Sequence, residues 1–304
     1  MKPGVAAPPA STGPSDAPAH RLAPLAAAAS GVLVGSGIVA TRSVVEQAGP
    51  VSLALLRYAI GFACLVVPVA LAGWPRFARR DLLPIALLGI GQFGVLIVLL
   101  NIALASIPSA RAALLFATVP LLTMLLGAAL GVERLATARA AGVLLTIVGV
   151  GLALGDKALQ GGAWTGELAA FASALCGAVC SLLYRPYLRR YPTLGVSALA
   201  MLAAVLFLAL LATGEGFFAA PPRFTAAGWA AVLFIGANSG VGYYLWLWAL
   251  GHTTPTKVAV FLSLSPLTAA VLGAALLGET LSAAAALGVA CVILGLWLAH
   301  RPVG

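Results

Sequence analysis

PLLTMLLGAALGVERL, residues 120–135, recurs 146 positions later as PLTAAVLGAALLGETL, residues 266–281. With that shift, residues 113–153 match 259–299 at 18 of 41 positions without a gap. Matches of Ala, Leu and Gly are expected by chance in so apolar a chain. Pro120 on Pro266 and Glu133 on Glu279 are not, because the 304 residues include only 19 Pro and eight acidic side chains. The register extends upstream, where Gly31 falls on Gly177, Gly94 on Gly240 and Gln92 on Asn238. The chain is therefore read as two copies of one unit.

The composition says where that unit resides. The chain is 62% hydrophobic and 8% charged, with a mean hydropathy of +1.08. A soluble domain is about one quarter charged, so this chain has no ordinary water-facing surface. That excludes a soluble enzyme, a nucleic-acid-binding domain and a disordered protein, although the net charge is +9. Apolar runs lie at 22–41, 50–72, 82–105, 109–131, 137–155, 166–184, 194–213, 226–250, 255–277 and 281–299. About 20 apolar residues cross roughly 30 Å of hydrocarbon as a helix. The runs do not alternate as barrel strands must. The spacing thus predicts an all-α integral membrane protein of ten transmembrane helices. Residues 1–21, rich in Pro, Ala, Gly and Ser, read as a disordered cytoplasmic tail without the apolar core of a signal peptide. The two repeats then span 22–155 and 163–300.

The basic residues orient the bundle. Threading ten helices from a cytoplasmic N-terminus puts eleven of the 17 Lys and Arg in inner loops and tails. Arg42, Lys157 and Arg223 fall outside; Arg57, Arg111 and Lys257 fall within helices. That excess places both termini in the cytoplasm. Five helices per repeat is an odd number, so the second repeat enters the membrane from the opposite side. Inverted repeats are the plan of secondary transporters, with substrate near the midplane between the halves.

The quoted pair, each followed by a Gly-rich helix (142–151 and 288–295), resembles the EamA repeat of the drug/metabolite transporter superfamily. GSGIVATR at 35–42 and LLRY at 55–58 look like the first two helices of that family. The resemblance covers about 22–300. It implies that helices one to four and six to nine of the ten surround a central cavity, with five and ten outside. It also implies a carrier of small metabolites, amino acids first among them (aromatic or neutral), similar to the aromatic amino acid exporter type. Drugs, nucleosides and sugar-phosphate-like metabolites are the alternative cargo. No cofactor or metal is implied, and the oligomeric state is open.

Candidate site residues are the polar, aromatic and helix-bending residues inside the runs. Polar groups in hydrocarbon usually face a cavity or a partner. Gln92 and Asn238 occupy matching positions in the third and eighth runs, and amides donate and accept; either they meet substrate or they bond helices together. Lys257 and Arg57 are candidates for a substrate carboxylate, with snorkelling as the alternative. In the eighth run Tyr243 and Trp246 share one face, and Tyr244 and Trp248 another. One pair is expected at the cavity, the other in lipid or the interfacial belt. Tyr58, Asn101 and Ser239 are weaker candidates. Pro120, Pro266, Gly91, Gly94 and Gly240 are expected to bend or gate their helices.

All eight acidic residues fall in tails, loops or helix ends, which disfavours a proton-coupled cation antiporter. Cys176 and Cys180 share a helix face and read as packing. GANSG at 236–240 faintly resembles an intramembrane serine-protease motif, but its glycine spacing is wrong and only His252 is near. A channel, whose polar lining looks like that of a carrier, is the remaining competitor.

Overall fold

The computed structural model describes residues 16–107, 118–132, 137–154 and 164–277, with isolated positions between 112 and 116 and between 287 and 298. Every regular element among the described residues is helical. They are α1 (Asp16–Val44), α2 (Pro50–Ala72), α3 (Arg79–Gly89), α4 (Leu96–Ser106), α5 (Val119–Ala129), α6 (Thr137–Leu154), α7 (Trp164–Leu188), α8 (Thr193–Ala212), α9 (Ala226–His252), α10 (Pro255–Val260) and α11 (Leu264–Leu277). A π-helical stretch, Ile90–Val95, joins α3 to α4, and a 3₁₀ turn, Phe261–Ser263, joins α10 to α11.

Six described segments are long and apolar enough to cross a bilayer: Leu22–Gln47, Pro50–Ala72, Arg79–Ser106, Trp164–Leu188, Thr193–Ala212 and Ala226–His252. Their outer faces are apolar, with Leu71 85% and Trp164 78% exposed. Such a surface suits lipid, not water, and this is a multi-pass membrane protein. Three further expected helices are described in part: α5 lies in the run 109–131, α6 in 137–155, and α10 and α11 together in 255–277; the run 281–299 lies outside the described elements. α1 begins at Asp16, inside the expected tail; residues 1–15 lie outside the described residues.

The two halves pack chiefly against each other. α1 lies along α9 and α11, α2 along α8 and α9, α3 along α8, and α4 along α7. Hydrogen bonds gather several helix ends at one pole. Arg42 Nη1 donates to Leu104 O at 2.6 Å, Asn101 Nδ2 to Pro50 O at 2.8 Å, and the Thr225 amide to Gln47 Oε1 at 3.2 Å. This pole therefore holds the ends of α1 and α4 and the starts of α2 and α9. α7 begins there too, since Gly166 abuts Ser106 and Ile107. α1 thus finishes where its repeat counterpart α7 begins.

Glycine permits the tightest crossings. A Cβ on Gly240 would meet Gly61 O at 2.8 Å, so α2 and α9 touch backbone to backbone. A Cβ on Gly31 or Gly35 would collide with the carbonyls of Phe261 or Ser265, seating α1 on the joint between α10 and α11.

The sequence places bends at Pro120 and Pro266. Pro120 is the second residue of α5, and Pro266 falls in the first turn of α11. A proline gives no hydrogen bond to the carbonyl four residues before it and crowds that carbonyl; for Pro266 this residue is Leu262, inside the Phe261–Ser263 turn.

Candidate functional site

A narrow cavity lies where the halves meet. Its wall is Ser30 and Val34 of α1, Gln92 of the π-helical stretch, Leu96 of α4, Phe116, Val119 of α5, Gly177 and Ser181 of α7, Tyr243 and Trp246 of α9, and Leu262 of the 3₁₀ turn. Phe116 and Leu262 are counterparts in the repeat register, 146 residues apart. The cavity volume is about 20 Å³, room for about one water molecule.

Gln92 is the principal polar group on this wall. It is 4% exposed, its Oε1 is buried without a hydrogen bond, and its amide has no partner among the described residues. Leaving a buried polar group unsatisfied costs about 1–3 kcal/mol. The π-helical backbone carries Gln92 to this position, and α7 satisfies the carbonyls around it. Ser173 Oγ donates to Leu96 O at 2.9 Å, Cys176 Sγ to Gly91 O at 3.3 Å, and Cys180 Sγ lies 3.9 Å from Leu88 O. The two cysteines thus support the stretch behind the site, as packing residues do. Single π-turns recur at functional sites.

Trp246 supplies the second orphan group. It is 4% exposed, and its indole Nε1 is buried without an acceptor. Tyr243 stands one turn away on the same face of α9. The other members of the wall are apolar apart from Ser30 and Ser181, whose hydroxyls donate to Gly242 O at 3.1 Å and Gly177 O at 2.7 Å. The site therefore offers an amide and one free N–H donor inside an apolar shell.

Aromatic rings close one side. Phe93 lies 4.7 Å from Tyr243 and 5.5 Å from Tyr58, centroid to centroid, and Tyr58 lies 5.9 Å from Tyr243. Tyr58 and Phe93 are fully buried. Beyond Tyr58 lies Arg57, whose Nε donates to Ser239 Oγ at 2.5 Å.

The structure gathers only some of the candidates. Gln92, Tyr243 and Trp246 share the wall; Tyr58 stands behind Tyr243. Tyr244 is half-buried and packs into the core off the wall, so the helix phase that sequence leaves open selects the Tyr243–Trp246 face. Asn238 does not mirror Gln92: its Nδ2 donates to Leu33 O at 2.7 Å and to Ser36 Oγ at 3.5 Å, tying α9 to α1. Asn101 bonds Pro50 O at the helix-end pole, away from the cavity. Lys257 is half-buried in α10 and off the wall. Gly91 and Gly94 lie within the π-helical stretch, against Cys180 and Phe207, and Gly240 against Gly61. Arg111 and Glu133 lie outside the described residues.

Sequence reasoning missed Phe93, Phe116, Leu262, Ser30 and Ser181. The first three look like ordinary lipid-facing residues until helix phase is known. The serines are small enough to pass as packing. Only the register offered a signal, pairing Phe116 with Leu262 across the repeats.

Known proteins agree with the arrangement. A probable terminal-alkyne amino-acid exporter of Streptantibioticus cattleyicolor is 30% identical over 272 residues, 88% of this chain and 89% of that protein. A solved crystal structure, 26% identical, superposes with a TM-score of 0.76 over 92% of this chain and 96% of its own. The EamA-like transporter family profile matches twice, at residues 21–155 and at 164–301. Two copies of that repeat cover nearly the whole chain, helices from both wall the central cavity, and the protein belongs to the EamA-like transporter family.

Proposed function

We propose that this protein is an inner-membrane secondary transporter that exports small metabolites, amino acids first among them, by alternating access through the cavity at Gln92. The observation that carries the reading is the wall itself: an unpartnered amide and an unpartnered indole N–H buried among apolar side chains. A zwitterion needs donors and acceptors at its head, and a neutral amino acid needs an apolar shell for its side chain. Buried ligand sites combine those two features. The name of the alkyne amino-acid exporter favours the same cargo class, and a slender unsaturated side chain would suit a narrow, aromatic-lined space.

Alternating access draws on the inverted pair of repeats. α1 finishes at the pole where α7 begins, and the halves share the core between them. The eleven-to-three distribution of basic residues over ten threaded helices supports cytoplasmic termini. In this reading the constricted cavity belongs to a closed conformation, and the joint at Phe261–Ser263 allows α10 and α11 to move separately. Discontinuous helices of this kind surround substrate in other inverted-repeat carriers.

The test is uptake of labelled amino acids into proteoliposomes holding the purified protein, with a panel of unlabelled competitors. Competition by neutral amino acids with apolar side chains is the expected result. Competition by drugs or nucleosides alone would reassign the cargo.

A further inference from the structure

We propose that the chain carries two repeat-related latches, one at each pole, and that each holds one face of the carrier shut. Tyr191 on Asp81 forms one, and Glu215 on the start of α2 forms the other. These are positioning residues, remote from the cavity. The proposal deepens the carrier reading above and rests on it.

Two helix starts lack a cap of their own. α2 follows Gly49 and α3 follows Ala78, and neither residue caps the first turn with its side chain. The first amides of a helix have no partner within it. Here the partner comes from the other half. At the pole already described, Glu215, between α8 and α9, accepts from the Val51 amide at 3.0 Å and from the Ser52 amide and hydroxyl at 2.7 Å. Gln47 reaches back from the first half to the Thr225 amide at the start of α9. At the opposite pole the Ala78 amide donates to Tyr191 Oη at 3.1 Å, and that hydroxyl donates to Asp81 Oδ2 at 2.7 Å. Tyr191 lies between α7 and α8. Arg190 Nη1 stands 3.5 Å from the same carboxylate oxygen, and the Tyr191 and Phe77 rings lie 4.8 Å apart. Asp81 is 6% exposed. Arg80 of its own half is farther, at 4.0 Å, and largely exposed.

The two latches are counterparts. Gly49 and Gly195 are 146 residues apart, the repeat register. A Cβ on Gly49 would strike the Glu215 carboxylate, and one on Gly195 would strike the Pro75 ring. At each pole the linker after the second helix of one repeat lies on the linker after the first helix of the other. Opposed repeats put one such contact on each face. Both latches connect to the cavity. α3 runs into the π-helical stretch that carries Gln92, and α9 carries Tyr243 and Trp246. Release of one latch frees one of these helices at its first turn, while the other helix stays pinned.

The reporter is Val34→Cys on the cavity wall, in a chain whose Cys64, Cys176, Cys180 and Cys291 are replaced by Ala. A charged, membrane-impermeant methanethiosulfonate is applied to right-side-out and to inverted vesicles, and the labelling rate is read from each face. Tyr191→Phe keeps the ring against Phe77 and loses the hydroxyl. It should raise labelling about tenfold from the face of the Asp81 pole and not from the other, the worth of one charge-assisted hydrogen bond. Glu215→Gln should raise it from the opposite face alone. Labelling raised equally from both faces, as a merely loosened fold gives, overturns the proposal, and so does a rate that either variant leaves unchanged. If Tyr191→Phe or Glu215→Gln does not fold, Arg190→Gln or Gln47→Leu, at the same pole, takes its place. The two readings fail separately. One-sided shifts without counterflow of amino acids keep the latches and sink the carrier. Counterflow with unshifted labelling sinks the latches and spares the carrier.

Discussion

Replacing Gln92 by leucine should make the protein more stable and a poorer carrier. The side chain is buried, its Oε1 has no partner, and its amide makes no hydrogen bond to a described residue. An unsatisfied buried polar group costs about 1–3 kcal/mol. Leucine is similar in size and equally at home in a helix, so Gln92→Leu should recover about that amount. Transport should fall about tenfold, because the substrate head group loses its amide partner and each tenfold corresponds to about 1.4 kcal/mol. Both quantities come from one preparation: equilibrium unfolding in mixed micelles and exchange in proteoliposomes. Substrate at one hundred times its Kd should stabilise the wild type by about 2.7 kcal/mol and the variant by less. A variant destabilised by more than about 1 kcal/mol, with transport intact, would show that the amide serves an internal structural bond. The reasoning about an open site would then be refuted.

Other expectations follow from the same geometry. Trp246→Phe keeps an aromatic body but removes the orphan N–H; it should weaken substrate binding several-fold, the worth of one hydrogen bond, with little change in unfolding. Glu215 caps the start of α2, its carboxylate accepting from the Val51 amide at 3.0 Å and from the Ser52 amide and hydroxyl at 2.7 Å. Glu215→Gln should cost about 1 kcal/mol, and less at high salt because the group is exposed. Gly240→Val would drive a Cβ towards Gly61 O and should cost about 1–3 kcal/mol as a lower unfolding midpoint, whereas Gly216→Ala should fail differently, by backbone strain at φ +75.

Much of this architecture is legible in the sequence. Hydropathy placed the six long spans among the described residues, because bilayer thickness sets a length that composition must meet. The register of Pro120 with Pro266 exposed the duplication. Polarity in hydrocarbon singled out Gln92, and the aromatic pairs on α9 were known except for phase. What remained hidden depends on lateral neighbours. Asn238 matches Gln92 in the register, yet a carbonyl on α1 lies within its reach and absorbs its donor. Lys257 stands on α10 off the wall, a matter of helix phase that an apolar run does not set. The π-helical stretch has no local signature either; it is held from outside by the serine and thiol donors of α7. Asn101 was legible as a buried amide, but its partner is a carbonyl 51 residues away.

The central claim is that this cavity carries substrate by alternating between two faces. Counterflow tests it most directly. Proteoliposomes are loaded with an unlabelled neutral amino acid, diluted into a trace of the labelled form, and uptake is followed over time. A carrier predicts a transient accumulation of label above equilibrium, driven by the internal pool and lost in Gln92→Leu. Simple equilibration, with no acceleration by the internal pool, would mean a passive pore and would contradict the account.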